Sequence, residues 1–370
     1  MKIANPFLWL LCICVAISSC SKDKKEQEEE VPTKIAAGFY HSLIVKPDGS
    51  LWSSGANSSG QLGDGSNIKR LAPVKIMDQV LQISAGSSHS ILLKTDNTVW
   101  TTGDNNWGQL GDGTNTNRNT PVKIMDNATM IAAGRGTSYI IKNDQTLWAT
   151  GLNASGQVGI GNKDDKNSPV KIMDNVKFVT ANGNFCLVIK TDNTLWGFGQ
   201  NLNGQLGDGT IIDKTAPVKI MDNVSMAAAG AIHTLFIKKD KTLWGMGFNS
   251  HGQFGLPDLQ ASWAYTTPMK IMDGVSDIAA GSSHSLVIKQ DNTLYAMGRN
   301  NLGQLGDGTF TDKALPVKIM DEVADIAAAQ NFSLVLKKDK SLLATGSNAD
   351  GQLGIGSTTD KNVFTIINLP

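Results

Sequence analysis

The sequence predicts an all-β fold, a seven-bladed β-propeller, on three observations. A glycine-rich phrase, first found as Gly55-Ala-Asn57-Ser-Ser-Gly60-Gln61-Leu62-Gly63, occurs seven times, and successive copies start 48, 48, 48, 48, 51 and 48 residues apart. Each period contains short β-prone segments separated by turn-forming residues, with no helical pattern between them. Because one such unit cannot bury its own apolar face, units of this length stack on their neighbours, and seven suit a closed ring. The other copies lie at Gly103–Gly111, Gly151–Gly159, Gly199–Gly207, Gly247–Gly255, Gly298–Gly306 and Gly346–Gly354.

The second repeat shows why each unit is expected to form one blade. Val80–Ala85, Ser90–Lys94 and Thr98–Thr102 are short apolar segments, and the last two are joined by a Thr-Asp-Asn turn. The glycine-rich phrase then forms a loop. Pro121–Met125 follows as a fourth strand with proline at its start, where a missing N–H is tolerated. Four short strands per period are typical of a propeller blade.

The ends of the repeat region predict how the ring closes. Six copies of the fourth strand end in Ile-Met-Asp, and the seventh is the degenerate segment Val363–Ile367 near the C-terminus. No such strand precedes Lys34, where the first repeat begins. We therefore expect the C-terminal strand to complete the blade that the N-terminal strands begin.

The N-terminal residues are predicted to form a targeting segment followed by a tether. The propeller is predicted to occupy residues 34–370. Lys2 precedes the apolar run Phe7–Ile17, which is short for a membrane span and has the proportions of a signal-peptide core. Ile17-Ser18-Ser19-Cys20 resembles the lipobox of bacterial lipoproteins, which implies a signal peptide over residues 1–19 and a multiply acylated Cys20. Residues 20–33 would form an acidic, disordered tether. The expected location is the cell envelope, anchored by lipid in the outer membrane, and an ordinary signal peptide is the alternative.

Charge and cysteine content narrow the function classes. The chain carries 33 basic and 33 acidic residues without a basic tail, which disfavours nucleic-acid binding, because phosphate neutralisation supplies most of that affinity. After removal of the signal peptide and acylation of Cys20, Cys186 is the remaining cysteine, so no internal disulfide is expected. Its apolar context predicts a buried, inert thiol.

The repeats resemble the regulator of chromosome condensation repeat family. The matching elements are the Ala-Gly-x-x-His-Ser/Thr motif (Ala85–Ser90, Ala229–Thr234, Ala280–Ser285), the Asp192–Trp196 turn and the glycine-rich phrase, over residues 34–370. The resemblance implies a seven-bladed propeller. The family's namesake is an exchange factor for the GTPase Ran and docks on nucleosomes through an inserted wedge and a basic tail. This chain has neither feature. Its repeats differ in length only by an insertion of three residues after Gly255. Other, exported members inhibit β-lactamases by laying one face of the ring over the enzyme, so the family implies a binding scaffold.

Residues that recur at one position in most repeats are interpreted as structural. The histidines at one repeat position diverge around a ring, so we expect hydrogen bonds within blades and no metal site. The recurring tryptophans mark a packing slot in the core. Asp-Gly-Thr/Ser after the phrase is turn chemistry without a calcium-loop pattern. No nucleophile or phosphate-loop motif is present, so neither an enzyme nor a cofactor is expected. The histidines are His41, His89, His233 and His284; the tryptophans are Trp52, Trp100, Trp148, Trp196 and Trp244.

Positions at which the repeats differ are the candidates for partner binding. The residue before Gly-Gln in the phrase varies from copy to copy and is expected to face solvent; it is Trp107 in the second repeat and His251 in the fifth. The fifth repeat also replaces a polar loop with an apolar one. Loops on a rigid scaffold carry function, and Trp and Tyr are favoured interface anchors. The predicted contact residues are Trp107, His251, Phe254, Trp263 and Tyr265.

The sequence thus predicts an exported, lipid-anchored propeller that acts as a protein–protein interaction scaffold. Its partner would be an envelope or extracellular protein, with no nucleic acid involved. Three alternatives stay open: a glycan-binding module of the cell surface, an enzyme with an acid/base pair assembled from different blades, and a regulator of guanine-nucleotide exchange, which export disfavours. For Trp263, folding back over a blade edge is an equal alternative to partner contact.

Overall fold

The computed structural model describes residues 33–256 and 264–370, and all regular secondary structure in these residues is β-strand. Seven antiparallel sheets of four strands each follow one another along the chain and form a ring of blades, which confirms the predicted fold class. Blade 1 comprises β1 (Lys34–Ala37), β2 (His41–Val45), β3 (Leu51–Gly55) and β4 (Arg70–Met77). Blade 2 comprises β5 (Val80–Ala85), β6 (His89–Lys94), β7 (Val99–Gly103) and β8 (Arg118–Met125).

The other five blades repeat this order, with the innermost strand first and the outermost last. Blade 3 comprises β9 (Ala128–Ala133), β10 (Thr137–Lys142), β11 (Leu147–Gly151) and β12 (Lys166–Met173); blade 4 comprises β13 (Val176–Asn182), β14 (Phe185–Lys190), β15 (Leu195–Gly199) and β16 (Lys214–Met221). Blade 5 comprises β17 (Val224–Ala229), β18 (His233–Lys238), β19 (Leu243–Phe248) and β20 (Ala264–Met272); blade 6 comprises β21 (Val275–Ala280), β22 (His284–Lys289), β23 (Leu294–Gly298) and β24 (Lys313–Met320). Blade 7 comprises β25 (Val323–Ala328), β26 (Phe332–Lys337), β27 (Leu342–Gly346) and β28 (Lys361–Ile366).

The hydrophobic core consists of layers between adjacent blades. In one layer Leu43 and Leu51 of blade 1 pack with Val80, Ile83 and Leu92 of blade 2, and all five are buried. The second strand of each blade is buried along almost its whole length because it is covered on both sides, whereas the fourth strand is half exposed. Burying each large apolar side chain stabilises the ring by about 1.5–3 kcal/mol.

The ring closes without sharing a strand between its ends, which corrects the prediction made from the sequence. The C-terminal strand β28 pairs with β27 and completes blade 7, while blade 1 is completed by its own strand β4. Blades 7 and 1 meet through the same lateral contacts as the other blades. Gly356 N donates to Leu71 O over 2.9 Å, matching the bond from Gly65 N to Asn119 O between blades 1 and 2. Ile367 is buried in a layer with Ile44 of blade 1.

Strand direction divides the ring into two faces. The turns between first and second strands and the loops between third and fourth strands lie on one face, because β2 begins where β3 ends and β4 begins. We call this the loop face. The opposite face, the turn face, holds the turns between second and third strands and the connections between blades. The described chain enters β1 at the turn face, and it ends there too, since Lys46 Nζ in a turn of that face donates to Pro370 O over 3.0 Å.

The predicted signal peptide, Cys20 and the tether as far as residue 32 lie outside the described residues. A compact unit spans Val31–Pro370. In residues 33–256 and 264–370 there is no helical segment with the length and hydrophobicity needed to cross a bilayer.

Candidate functional site

The recurring histidines link neighbouring blades. His89 Nε2 lies 3.1 Å from Ser138 Oγ in the next blade, and that hydroxyl donates to Gln109 O over 2.7 Å. The serine therefore accepts its hydrogen bond from the Nε2–H of the histidine. The prediction of bonds within a blade is corrected, because the acceptor belongs to the following blade. The equivalent pairs are His41 with Ser90, His233 with Ser285 and His284 with Ser333.

These histidines are neutral structural groups. All four are fully buried, and burial lowers the pKa of His89 to about 4 and the pKa of the other three to about 3. Across residues 33–256 and 264–370, no three His, Cys, Asp or Glu side chains converge in a way that suits a metal ion.

The recurring tryptophans lie at the edge of the core, and Trp52, Trp100, Trp196 and Trp244 pack against its buried clusters, as the predicted packing slot requires. Trp100 is half-buried near the turn face, its Nε1 donates to Thr98 Oγ1 over 2.9 Å, and Lys94 Nζ lies 5.8 Å from its ring centroid. Each of the other four tryptophans has a serine or threonine hydroxyl and a lysine at the equivalent positions of its own blade, at comparable distances. Cys186, by contrast, is fully buried as predicted, and burial raises the pKa of its thiol.

The glycine-rich loops are held rigidly by an internal network of hydrogen bonds. In blade 2, Asn105 Nδ2 donates to Asp112 Oδ1 and to Thr114 O, while Asn105 Oδ1 accepts from Leu110 N over 2.9 Å. Asp112 also pairs with Arg118 at 2.7 Å. Both oxygens of Asp112 therefore accept bonds from residues of its own loop. The side chains on the loop face project from a backbone that these bonds hold in place.

Trp107 and His251 occupy the same repeat position on the loop face, three blades apart. Both are half-buried, so the expectation that this position simply faces solvent is corrected. The Trp107 ring packs against Gly136 of the next blade, where an added Cβ would lie 2.9 Å from Trp107 Cε3. His251 Nδ1 lies 2.9 Å from Asp312 Oδ2 and so joins blade 5 to blade 6. The structure does not bring the two residues together.

The other three predicted contact residues, Phe254, Tyr265 and Trp263, do not share the loop-face position of Trp107 and His251. Phe254 is 0% exposed and packs in the layer between blades 5 and 6, so it cannot contact a partner, and that prediction is corrected. Tyr265 in β20 is half-buried, with its ring centroid 5.7 Å from that of Phe254. Trp263 lies outside the described residues.

Sequence reasoning missed a depression at the centre of the loop face, to which all seven blades contribute. We call it the central depression; its volume is about 520 Å³. Its floor is fixed by backbone hydrogen bonds between the turns of successive blades, including Phe39 N to Gly86 O, Arg135 N to Gly183 O and Ser282 N to Ala329 O. The side chains that line it are those of Phe39, Tyr40, Ser87, Ser88, Asp104, Trp107, Arg135, Asn184, Gln200, Ala231, Ile232, Ser282 and Gln330.

Exposed apolar side chains favour the loop face over the turn face. Among the described residues, the large apolar side chains that stand out to solvent on the loop face are Tyr40, Ile68, Leu202, Ile211, Ile212 and Phe310. The others, Met269, Leu315, Val363 and Ile366, lie on outer strands. None of those described belongs to the turn face. The loop face therefore has the apolar surface that binding a macromolecule requires.

A propeller with a rigid, loop-bearing face and a central depression defines a class of binding scaffolds. A model described as the regulator of chromosome condensation (RCC1) repeat matches more than half of the chain, at residues 48–93, 96–141, 192–237, 240–288 and 291–336. A second model of the same repeat matches residues 33–61, 80–109, 176–205 and 275–304. The chain belongs to the RCC1 repeat family. A comparison with curated proteins found no match.

Several solved structures have the same fold. Human WBSCR16 is 23% identical, with 84% of this chain and 88% of that protein covered and a TM-score of 0.74. Prp20p from Saccharomyces cerevisiae, a protein studied for its binding to Gsp1p and histones, is 21% identical, with 86% and 85% covered and a TM-score of 0.78. Yeast RCC1 (Prp20) in a complex with Kap60 is 20% identical, with 96% and 91% covered and a TM-score of 0.78.

Proposed function

We propose that this protein is a protein–protein interaction scaffold that binds its partner through the loop face. The observation that carries the proposal is the segregation of exposed apolar side chains. Tyr40 (40% exposed), Leu202 (56%) and Phe310 (55%) stand on loops or turns that the hydrogen-bond networks hold in place. A preorganised surface with aromatic anchors binds without a large ordering cost. Relatives known by their complexes with proteins, such as Prp20p, support the same class of function.

We further propose that the protein is exported and anchored by lipid at Cys20, with the anchor in the outer membrane. The lipobox-like Ile17-Ser18-Ser19-Cys20 supports this proposal. Labelling of cells with a palmitate analogue should mark the wild-type chain and not the Cys20→Ser variant, and equal labelling would contradict the anchor.

A capture experiment tests the interaction. The full chain serves as bait in the envelope fraction of the producing cell, beside a Trp107→Ala/Leu202→Ala variant of the loop face and a Met269→Ala control on an outer strand, where Met269 is 41% exposed. Circular dichroism first establishes that all three baits fold. We expect one protein in stoichiometric amount with the wild type and the control, and its loss with the loop-face variant.

Two results would overturn the proposal. One is the absence of any protein partner, combined with saturable binding of a purified polysaccharide, which would favour the glycan-binding alternative. The other is equal capture of a partner by all three baits, which would place the binding surface elsewhere.

A further inference from the structure

The central depression contains an arginine with no carboxylate partner. Arg135 lies in the turn between β9 and β10, its side chain is exposed, and none of the described carboxylates lies within ion-pair distance of it. Arg299 also has no carboxylate partner among the described residues, whereas Arg70 and Arg118 each bind a nearly buried aspartate at 2.7 Å; Arg135 is the arginine that lines the central depression. The Arg135 backbone is fixed on both sides, with its N–H donating to Gly183 O and its carbonyl accepting from Ser87.

Among the described residues, one carboxylate lines the central depression, and both of its oxygens already accept hydrogen bonds. Asp104 is 7% exposed; its Oδ1 accepts from Asn106 Nδ2 over 2.5 Å and its Oδ2 accepts from Gln109 Nε2 over 2.7 Å. Both oxygens are thus turned towards the loop of their own blade. Asp104 keeps its negative charge, but its oxygens are occupied by amide donors, so Arg135 is the charged group of the lining whose hydrogen-bonding groups are free.

Apart from Asp104, the lining around Arg135 consists of aromatic and uncharged side chains. Phe39 and Tyr40 stand edge to face with ring centroids 6.3 Å apart, and Trp107 adds a third ring. Asn184 and Gln200 contribute carboxamides, and the buried Asn184 Oδ1 has no hydrogen-bond partner. A guanidinium with free donors in such a setting is suited to a carboxylate, which it binds in a planar, two-point geometry.

The turn face also has exposed cations. The exposed lysines of the outer strands pair with aspartates three residues later, as in Lys75 with Asp78 at 2.7 Å and Lys123 with Asp126 at 2.6 Å. Lys239 and Lys241, in a turn of that face, have no ion-pair partner among the described carboxylates, and they are open to solvent, where an ion pair contributes little. The central depression differs from these positions because it is concave and has three aromatic side chains beside its cation.

We propose that the central depression binds an acidic side chain of a protein partner, with the carboxylate on Arg135 and a neighbouring apolar or aromatic residue against Phe39, Tyr40 and Trp107. This inference rests on the proposed function, since it assigns the chemistry of the partner at the same face. Because the backbone of the floor is fixed, ordering on binding is confined to side chains such as that of Arg135, and most of the discrimination comes from the carboxylate.

Two matched peptides test the proposal directly on the full chain. Acetyl-Phe-Glu-Phe-amide and acetyl-Phe-Gln-Phe-amide differ only in the carboxylate, and their binding is followed by the arginine Nε–Hε resonances, which are few because the chain has four arginines. We expect the Glu peptide to bind roughly five- to tenfold more tightly, as one charge-assisted contact provides. The preference should disappear in Arg135→Gln and persist in Lys163→Gln, an exposed cation on an outer loop of the same blade.

The outcomes separate this proposal from the proposed function. Equal binding of the two peptides, no binding of either, or a preference that survives Arg135→Gln would overturn the acidic-residue assignment. A response to glucuronate stronger than that to the Glu peptide would also overturn it, in favour of an acidic saccharide. If a captured partner is lost with Trp107→Ala/Leu202→Ala but retained by Arg135→Gln, the interaction scaffold stands and this inference fails.

Discussion

At the scale of single residues, the inner strands carry a pair of carboxylates whose ionisation the fold opposes. Asp277 and Asp325 occupy the same position in blades 6 and 7, where other blades have residues such as Met130 and Phe178. Burial raises the pKa of both, and for Asp325 burial together with the nearby Asp277 raises the pKa to about 7. The positive charge of the neighbouring Lys34, whose Nζ donates to Leu81 O over 2.7 Å, lowers the pKa of Asp325 and offsets only part of this rise.

The replacement Asp325→Asn should stabilise the propeller at pH 8 and have little effect at pH 4. The pKa in the folded state, about 7, lies above the ordinary value of 3.8, so the folded state binds the proton more tightly than the unfolded state. Stability contributed by this group is thus present below about pH 4 and is lost as the pH rises towards 7. We expect a gain of a few kcal/mol in the free energy of unfolding at pH 8, measured by urea denaturation.

Asp164→Asn, on an exposed loop, is the control and should change stability equally at both pH values. A gain from Asp325→Asn that is the same at pH 4 and pH 8 would show that the carboxylate is not held protonated by the fold.

At the scale of the strand and its turn, a histidine in one strand dictates a glycine just before it. The His89 ring lies directly against Gly86, so that a Cβ on Gly86 would collide with the ring and lie 2.6 Å from Gly134 O. Where the histidine is replaced by phenylalanine, the glycine position is freed as well. Blade 7 has Ala329 three residues before Phe332, and blade 4 has Asn182 three residues before its phenylalanine.

Two glycine-to-alanine replacements at equivalent positions should therefore have different effects on the stability of the protein. Gly86→Ala should destabilise the protein by about 1–3 kcal/mol, because the methyl group overpacks the contact with His89. Gly134→Ala, in the blade that has Thr137 in place of histidine, should be neutral or stabilising by about 0.4–1 kcal/mol, since the nearest atoms to its Cβ are 3.5 Å away or more. Thermal unfolding of the two variants compares them, and equal losses would refute the coupling between glycine and histidine.

The strands were predictable from the sequence because turn chemistry recurs at the same place in every repeat. The division of the second repeat into one blade was confirmed by β5 to β8, whereas the closure of the ring was predicted wrongly, because β28 pairs with β27 and blade 1 has its own outer strand β4. Phe254 was wrongly predicted to contact a partner, because the prediction considered the apolar loop that follows it and not the equivalent residues of other repeats. The equivalent residues Leu62 and Leu206 are buried, and they identify its position as core.

The central depression could not be predicted from the sequence for a different reason. Each blade contributes only a few turn residues, and in a single repeat these are ordinary polar positions. Arg135 is the example, because it follows a strand in a turn where another blade has Ser87, and nothing local indicates that it lacks an ion-pair partner. Sites assembled across blades depend on the closed ring, which a linear pattern does not contain.

At the scale of the whole molecule, closure depends on lateral packing between blades 7 and 1. No strand is exchanged, so the junction is held by side chains such as Ile44 and Ile367 and by loop contacts such as Gly356 N to Leu71 O. In a ring of repeats each blade is stabilised by its two neighbours. Damage at one junction therefore affects both blades that meet there, and through them the depression that all seven blades form.

Deletion of Val363–Pro370 should lower the melting temperature of the whole ring. It removes most of β28, leaves β27 as an unpaired edge, and takes Ile367, which is 5% exposed, out of the layer shared with blade 1. The loss of one large buried side chain alone costs about 2–5 kcal/mol. Deletion of residues 368–370 is the matched control, because it retains β28 and Ile367, and it should have a much smaller effect. Amide hydrogen exchange should show that protection is lost first in blades 7 and 1, on both sides of the junction. An unchanged melting temperature for the longer deletion would mean that the ring does not depend on this strand for its closure.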